Sequence, residues 1–397
     1  VGFGTGGSDV AYALFAEFLP ADRRGFWLLF INVFWATGTL LMCLISWALL
    51  PDWRKLLVAT AFPELIVLVL FFVLGLPESP RYHLISGEPD KATQIVQKMC
   101  DMNGIELDGG LLEVVEGDKG RLADLLAPKM RRTTWLLWAI WFLNTFIYYG
   151  FTLITPVLLS NEGPDGVRCG KPIPDEQSSG CQYIQTDQYI GTVVTVLGEF
   201  PGLICLALAI DEIGRKPSQG VGMLVVGFFF FTLTTCYTRT VELILLFGLR
   251  AVIAASFQAT YAYTPEVYPT CIRTTGLGVC ASFSRMGGVI TPFIVHLFAD
   301  DVQDSFVLFG VCAILNALLV IFLPRETSRK PLENSVGEVT AIFNADIFDG
   351  GGLDLQDMSY LEDLEEGSFS GSEERNSEVK YEEEPKTIEV KFGESEE

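Results

Sequence analysis

Long apolar stretches, separated by polar connections, repeat along most of the chain. A helix that crosses a bilayer needs about 20 apolar residues in succession, and these stretches reach or approach that length. Unpaired backbone groups are costly in lipid, so the stretches must form helices or a closed barrel, and the strand-length alternation of a barrel is absent. The predicted spans are Phe26–Leu50, Leu56–Leu76, Thr134–Leu159, Gln188–Ile210, Gln219–Cys236, Val241–Tyr263, Leu277–Phe298 and Ser305–Leu323, with a shorter one at Val1–Phe18. The pattern therefore predicts an all-α membrane protein with about nine spans.

Composition and charge support this class and set one segment apart. Hydrophobic residues make up 50% of the chain and charged residues 19%, whereas a soluble protein carries about 25% charged residues. The net charge is -22, but the segment after residue 337 alone holds 19 acidic and 4 basic residues. Such a segment buries too little apolar surface to fold, so residues 325–397 are predicted to be a disordered acidic tail. Its charge would repel nucleic acid, and no nucleic-acid partner is predicted.

Lysine and arginine cluster in every second connection between spans. By the positive-inside rule these connections face the cytosol, and the acidic tail then lies there too. The longest of them, residues 81–132, is predicted to be a cytosolic linker with an amphipathic helix at Asp90–Met102. The other basic connections contain Arg23, Arg24, Arg215, Lys216, Arg273, Arg325, Arg329 and Lys330.

An internal repeat relates the two ends of the membrane part. Glu17, Pro20 and Arg24 recur 249 residues later with the same spacing. The second copy consists of Glu266, Pro269 and Arg273. The first three spans therefore copy the last three, while the middle three have no counterpart before residue 1. We expect a doubled six-helix architecture in an N-terminally truncated chain that lacks its first three transmembrane helices, with residues 1–80 in one bundle and residues 133–324 forming the other.

The short connection after the fifth span carries the first motif, Asp211-Glu212-Ile213-Gly214-Arg215-Lys216. Gly214 allows a tight turn, and Asp211 and Arg215 can pair across neighbouring helix ends and separate when those ends move apart. The simpler alternative is that Arg215 and Lys216 only anchor the chain at the cytosolic surface.

The repeated glutamates form the second motif. Glu17 and Glu266 stand at the cytosolic ends of helices, where a negative charge opposes the helix dipole. Each therefore needs a cationic partner, and the nearest in sequence are Arg24 and Arg273 of the same copy. We predict that these residues form gating pairs; plain capping and loop structure is the alternative.

The spacing of Asp211, Gly214 and the two cations after it resembles the cytoplasmic loop signature of the major facilitator superfamily. Further runs look like the synaptic vesicle 2-related branch of that superfamily. These runs are Ala16–Pro20, Pro77–Tyr82, Tyr148–Gly150, Glu199–Gly202, Phe257–Ala259 and Tyr263–Pro269. The resemblance covers the membrane part to about residue 333 and leaves out the acidic tail.

The resemblance implies a major facilitator fold and a secondary transporter of a small organic solute, either an organic ion or a sugar-like molecule. It further implies a synaptic or other cytoplasmic vesicle membrane, with the plasma membrane as an alternative. The branch is also linked to adenine nucleotide binding, for which this sequence has no Gly-rich phosphate loop. The rival hypothesis is a non-transporting membrane protein that acts in vesicle trafficking or binds a cytosolic partner through its acidic tail.

Ionisable and amide side chains inside spans are costly, so they are functional hypotheses by default. Glu199 precedes Pro201 and Gly202, where a helix can bend, and we interpret it as a lone carboxylate that binds a coupling sodium ion or proton. The alternative is a glutamate hydrogen-bonded to another helix. The other predicted pathway residues are Asp9, Asn144, Tyr148, Tyr149, Gln258 and Tyr261. Aromatic and amide groups suit a small organic solute, although tyrosine is also common at membrane interfaces.

Cysteine placement gives one further prediction. Cys169 and Cys181 fall in the polar connection of residues 161–187, on the predicted non-cytosolic face, where a disulfide is chemically permitted. Two free thiols are the alternative. Cys236 falls within a predicted span and is interpreted as a small packing residue. The sequence shows no His or Cys cluster with metal-ligand spacing and no nucleophile motif, so no cofactor, metal or enzymatic activity is predicted.

Overall fold

The computed structural model describes residues 8–19, 24–49, 52–75, 77–104, 121–160, 167–168, 186–298 and 302–328. Almost all of these residues are helical. The helices are α1 Ser8–Phe18, α2 Arg24–Ala48, α3 Trp53–Leu74, α4 Pro80–Ile85, α5 Pro89–Asn103, α6 Arg131–Ser160, α7 Thr186–Leu197, α8 Glu199–Ile213, α9 Arg215–Thr232, α10 Arg239–Val267, α11 Thr270–Leu297 and α12 Val302–Ile321. A short 3-10 helix at Leu122–Leu126 precedes α6.

The predicted spans are all helices in the described residues, which confirms the all-α class. Seven segments are long and apolar enough to cross a membrane: α2, α3, α6, α7 together with α8, α10, α11 and α12. Helix α1 has only 11 residues, and α9 has 18 residues with two cations in its first turn. Helix α3 is exposed along its apolar window, as expected for a helix that is hydrophobic on every side and lies in lipid.

The predicted ends of two spans fall short of the observed helices. Helix α10 continues to Val267 and α11 already begins at Thr270, so only Tyr268 and Pro269 separate them. Glu266 and Arg273, which the sequence analysis placed at the edge of the membrane, are therefore helical and buried. Polar residues continue these helices because their charges find partners within the protein.

Glycines let two pairs of helices approach each other backbone to backbone. Gly198, just before α8, and Gly202 within it lie against the carbonyl groups of Phe247 and Ala251 in α10, and a Cβ atom at either glycine would overlap with them. Gly287 of α11 lies in the same way against the carbonyl of Phe142 in α6. Small residues four apart are a common means of close helix packing in membranes. The contact between α8 and α10 sets the geometry of the site described below.

Two hydrophobic clusters fill the bundle formed by α6 to α12. One contains aromatic and aliphatic side chains of α6, α9, α10 and α12, with Phe151, Phe230 and Phe309 at its centre. The other lies nearer the predicted cytosolic end and is built around Trp141, Tyr263 and Tyr268. In the described residues, α1 and α2 join this bundle through contacts with α11 and with α7, α8 and α10.

The connections between the long helices contain limited further structure. Helix α5, Pro89–Asn103, confirms the amphipathic helix predicted at Asp90–Met102. The 3-10 helix packs under α6, where Thr134 Oγ1 donates a hydrogen bond of 2.8 Å to the Leu125 carbonyl. On the opposite face, β1 Val167–Arg168 pairs antiparallel with β2 Tyr237–Thr238.

Candidate functional site

A buried ion pair joins the start of α8 to the middle of α10. Arg250 Nη2 lies 2.6 Å from Glu199 Oε1, and the two side chains are 3% and 1% exposed. Gly198 and Gly202 flank Glu199 in sequence and bring α8 against the turn of α10 that carries Arg250. Because the two charges neutralise each other, the helices can hold them away from water.

Side chains of two further helices surround this pair. The Tyr148 hydroxyl of α6 donates to Glu199 Oε1 over 2.8 Å and accepts from Arg250 Nη2 over 2.9 Å, while Arg250 Nη1 donates to Thr152 Oγ1 over 2.7 Å. From α2, Trp35 Nε1 donates to the Tyr148 hydroxyl over 3.4 Å. Two atoms of the pair, Glu199 Oε2 and Arg250 Nε, have no hydrogen-bond partner among the described residues.

The rings that follow on α10 separate the ion pair from the cytosolic end. Tyr148 contacts Phe257 with ring centroids 5.9 Å apart, and Phe257 contacts Tyr261 at 5.4 Å. Tyr261 in turn contacts Trp141 at 4.5 Å and Tyr12 of α1 at 5.5 Å. These contacts form a continuous aromatic column that runs from Tyr148 beside the ion pair to Tyr12 of α1.

The predicted amide residues lie beside this column. Asn144 Nδ2 donates to Thr260 Oγ1 over 2.7 Å, and its Oδ1 accepts from Asn316 Nδ2 over 3.0 Å. Asn144 therefore holds α6, α10 and α12 together in this conformation instead of facing an open cavity. Gln258 is 9% exposed with its Oε1 unpartnered in the described part of the chain, and Tyr149 is half-buried beside Tyr148.

A second cluster of charges lies at the predicted cytosolic end, with the buried Arg215 at its centre. Arg215 Nε and Nη2 donate to the two oxygens of Glu266 over 2.9 and 3.1 Å, and Nη2 also lies 2.9 Å from Asp211 Oδ1. Arg215 Nη1 donates to Ser328 Oγ over 2.9 Å. The planar guanidinium thus connects α8, α10 and the segment after α12 through its fixed fork of donors.

That segment, residues 323–328, crosses the cluster and is called the strap below. Glu326 Oε1 and Oε2 accept from the backbone N–H groups of Arg215 and Lys216 over 2.8 and 2.9 Å, which satisfies two of the donors that the first turn of α9 leaves free. Gly214 has a φ of 99°, and a Cβ atom there would touch the Glu326 carboxylate. Thr327 Oγ1 donates to Glu266 over 2.7 Å.

The same cluster ties α1 and α2 to the rest of the protein. Arg273 Nη1 of α11 donates to Glu17 Oε1 of α1 over 3.0 Å. The backbone N–H of Phe26, in the first turn of α2, donates to Asp211 Oδ2 over 3.2 Å. Gly25 fits against this carboxylate so closely that a Cβ atom would lie 2.6 Å from Asp211 Oδ1. We call Arg215, its partners, the strap and these two links the cytosolic lock.

The partners of the repeated glutamates differ from the predicted ones. Glu17 pairs with Arg273 of the other copy, and Glu266 pairs with Arg215 of the first motif. Arg273 lies inside α11 and its Nε donates to the Pro265 carbonyl over 2.7 Å, which directs the side chain across to α1. The prediction that Glu199 is a lone carboxylate was also wrong, because Arg250 neutralises it.

Several predicted residues lie outside the described part of the chain. Cys169 and Cys181 do, and so do the side chains of Asp9 and Arg24. Cys236, which we interpreted as a packing residue within a span, lies instead in the connection between α9 and α10 and is disulfide-bonded. Among the described residues no group of three or more His, Cys, Asp or Glu side chains could hold a metal ion.

Sequence reasoning missed four residues that shape these sites. Arg250 had a signal, since it stands well inside the predicted span Val241–Tyr263, where a cation is costly unless paired. Trp35, Gly25 and Glu326 had no comparable signal, because their roles depend on which helix lies opposite.

The fold and these sites together define a multi-pass helical membrane protein of the major facilitator type. The sugar (and other) transporter family matches residues 1–336. The chain belongs to this family, whose members are transporters rather than enzymes. Synaptic vesicle 2-related protein of Pongo abelii is 39% identical over 84% of this chain, and organic cation/carnitine transporter 7 of Arabidopsis thaliana is 30% identical over 85%.

The chain spans 62% of the length of the first of these relatives and 73% of the second. Among solved structures, the proton:xylose symporter XylE bound to 6-bromo-6-deoxy-D-glucose superimposes with a TM-score of 0.55 at 20% identity. That match covers 83% of this chain and 70% of the symporter. At this identity the likeness concerns the fold alone, and it agrees with the major facilitator fold predicted from the sequence.

Proposed function

We propose that the protein is a secondary transporter that carries a small organic solute across a membrane by alternating access. The observation that carries this proposal is the Glu199 and Arg250 pair, buried in the membrane and in contact with α2 through Tyr148 and Trp35. Buried charges inside spans are expensive and mark substrate or ion pathways in transporters. The family relationship supports the same reading, since the matched family is one of sugar and other transporters.

The cytosolic lock supplies the second requirement of alternating access, a closure that can open. In the described conformation, Glu17 with Arg273 and Phe26 with Asp211 join α1 and α2 to the remaining helices at the cytosolic end. We propose that residues 1–80 and 133–324 move as two bundles and that these two links break when the cytosolic side opens. Charge pairs between rigid bodies are a common means of holding one of two arrangements.

The proposed solute site lies beside the ion pair, at the end of the aromatic column that begins with Tyr148. Tyr148 and Tyr261 present hydroxyl and ring surfaces there, and Tyr149 and Gln258 lie nearby. A few polar groups within an aromatic wall suit an organic ion or a sugar-like molecule. We place the protein in a vesicle membrane, by analogy with relatives named after synaptic vesicles, with the plasma membrane as the alternative.

Uptake into proteoliposomes tests this function. The purified protein is reconstituted and offered a panel of labelled organic anions, organic cations and sugars, at several pH values and with or without a sodium gradient. Saturable uptake of one solute class that Glu199→Gln abolishes is the expected result. Glu64→Gln changes an exposed carboxylate of α3 and serves as the matched control, for which uptake should remain.

A folded protein that takes up no member of the panel would contradict the proposal. The function would then be sought in trafficking, with a cytosolic partner of the acidic tail. A pull-down with residues 329–397 as bait, with and without its acidic residues, would examine that role.

A further inference from the structure

The Glu199 and Arg250 pair restricts which solutes can bind beside it. Within the described residues, each side chain keeps one polar atom without a hydrogen-bond partner, Glu199 Oε2 and Arg250 Nε, although both side chains are more than nine-tenths buried. The pair is thus an acceptor and a donor that are held together and only partly satisfied. A ligand that enters here meets both charges at once.

Charge balance separates three classes of ligand. A lone organic cation would pair with the Glu199 carboxylate and leave Arg250 buried without a counter-ion. Arginine cannot lose its proton in a protein, so that charge would remain. An organic anion would take Arg250 and leave Glu199, but a glutamate can accept a proton and become neutral. A neutral solute would leave the pair intact. Only the anion can replace a partner without leaving a buried charge, provided that a proton accompanies it.

The groups around the pair allow this exchange. Tyr148 of α6 donates its hydroxyl proton to Glu199 and accepts from Arg250 and Trp35, so it can rotate and accept from a protonated Glu199 instead. Cys43 of α2 is a further titratable group that interacts electrostatically with both charges. Tyr189 of α7 contacts Ser46 of α2.

Helix α9 also packs against α8, but its charged Arg215 lies far from Glu199. Arg215 of α9 pairs with Asp211, which stands 12 residues after Glu199 on α8, about 18 Å along the helix. The exchange therefore concerns Glu199 and Arg250 themselves, with Tyr148 as the hydroxyl between them.

We propose that an organic anion binds Arg250 only together with one proton on Glu199, and that the pair rejects lone organic cations. The anion displaces the Glu199 carboxylate from the guanidinium, and a proton from the same compartment adds to that carboxylate, so that the net charge of the site is unchanged. This inference rests on the proposed transport function for its biological meaning, but the binding linkage can be measured without transport.

The test uses formate as the smallest carboxylate probe and methylammonium as its matched cation. The protein in lipid nanodiscs is titrated with each ion at pH 5.5, 6.5 and 7.5, against sodium sulfate of equal ionic strength, and the midpoint of thermal unfolding is followed. Formate is expected to stabilise the wild-type protein at pH 5.5. Its apparent affinity should fall by up to about tenfold for each unit that the pH rises, because one proton is taken up on binding. Methylammonium is expected to give no shift at any of the three pH values.

Two variants show which residue takes up the proton and which residue binds formate. Glu199→Gln should bind formate with the same affinity at all three pH values, because the group that takes up the proton is gone. Arg250→Met should lose the formate effect throughout. If the first variant does not fold, the second together with the wild-type pH series still decides the question.

Several outcomes would overturn the inference: no effect of formate on the wild type, an effect that is independent of pH, a methylammonium effect as large as that of formate, or a pH dependence that survives in Glu199→Gln. The proposed function fails separately. If formate binding is linked to a proton but the protein takes up no solute, the transport proposal fails and the binding proposal stands. If the protein takes up a solute but formate binding is independent of pH, the transport proposal stands and the binding proposal fails.

Discussion

The buried ion pair and the cytosolic lock use the same chemistry, carboxylate against guanidinium, in opposite ways. In the pair, Arg250 contacts one carboxylate, and two polar atoms have no partner among the residues that the structure describes. In the lock, Arg215 distributes its donors over Glu266, Ser328 and a backbone carbonyl and also pairs with Asp211. The first arrangement has a free acceptor and a free donor atom in the described part of the chain, with which a ligand could pair. The second is nearly saturated, so it changes only when whole helices move.

The largest effect should come from breaking the pair from one side. Arg250→Met keeps an unbranched side chain but leaves the Glu199 carboxylate buried without its cation, and removal of one partner of a buried pair costs about 3–5 kcal/mol. Thermal unfolding in nanodiscs measures the loss. The double variant with Glu199→Gln should recover most of it, and Lys98→Met on the exposed face of α5 should stay within about 0.5 kcal/mol of the wild type. A single variant as stable as the double would mean that the pair is not buried as a unit.

In the lock, the shape of the cation should matter more than its charge. Arg215→Lys keeps the charge but loses the fork that bonds both oxygens of Glu266 and Ser328. With about 1–3 kcal/mol lost from these bonds, the open population at the cytosolic side should rise about tenfold. A cysteine probe introduced by Ala262→Cys, at a buried position between α2 and α8, reports this as faster alkylation by an impermeant maleimide from the cytosolic side. Unchanged alkylation would show that the lock does not hold this end closed.

The contact of α2 with the lock can be disturbed without touching a charge. Gly25→Ala places a methyl group 2.6 Å from Asp211 Oδ1, and overpacking of this kind costs about 1–3 kcal/mol. Gly38 of the same helix has open space around it, so Gly38→Ala should be neutral or slightly stabilising because alanine favours helix. Equal unfolding midpoints for the two variants would contradict the close packing at Gly25.

The smallest predicted effect concerns the hydrogen bond from Trp35 of α2 to Tyr148, which itself bonds to both members of the pair. Trp35→Phe removes the 3.4 Å bond from Nε1 to Tyr148 and keeps most of the ring, so the expected loss is about 0.5–1 kcal/mol. Trp27→Phe, at an exposed position of α2, is the control. A loss well above that range would mean that Trp35 supports the ion pair more strongly than a single bond.

The sequence predicted the helices well because apolar length and helix geometry are local properties. It also indicated the internal repeat and the clustering of charges at Asp211 and Arg215, since these depend on spacing along one chain. It could not assign partners. Glu17 reaches Arg273 and Glu266 reaches Arg215 because of how α1, α10 and α11 are rotated against each other, and rotation is set by contacts between distant segments.

A second similarity between the two copies also did not reveal contact partners. The run Leu76–Arg81 resembles the run Leu323–Arg329 in sequence. Ser79 caps the short helix α4, whereas Glu326 caps α9, a helix that is distant in sequence. Similar residues thus serve a local cap in one copy and a long-range link in the other. No spacing along the chain distinguishes the two.

The two-oxygen contact of Glu326 has a consequence for timing. One side chain holds two neighbouring peptide groups of α9, so a thermal fluctuation that lengthens one bond leaves the other to restore it. The strap separates from α9 only when both bonds are lost together with those that Arg215 and Lys216 make to Ser328 and Leu323. Opening at this point should therefore be a rare, all-or-none event, and in the proposed transport cycle the waiting time for it would limit the turnover rate.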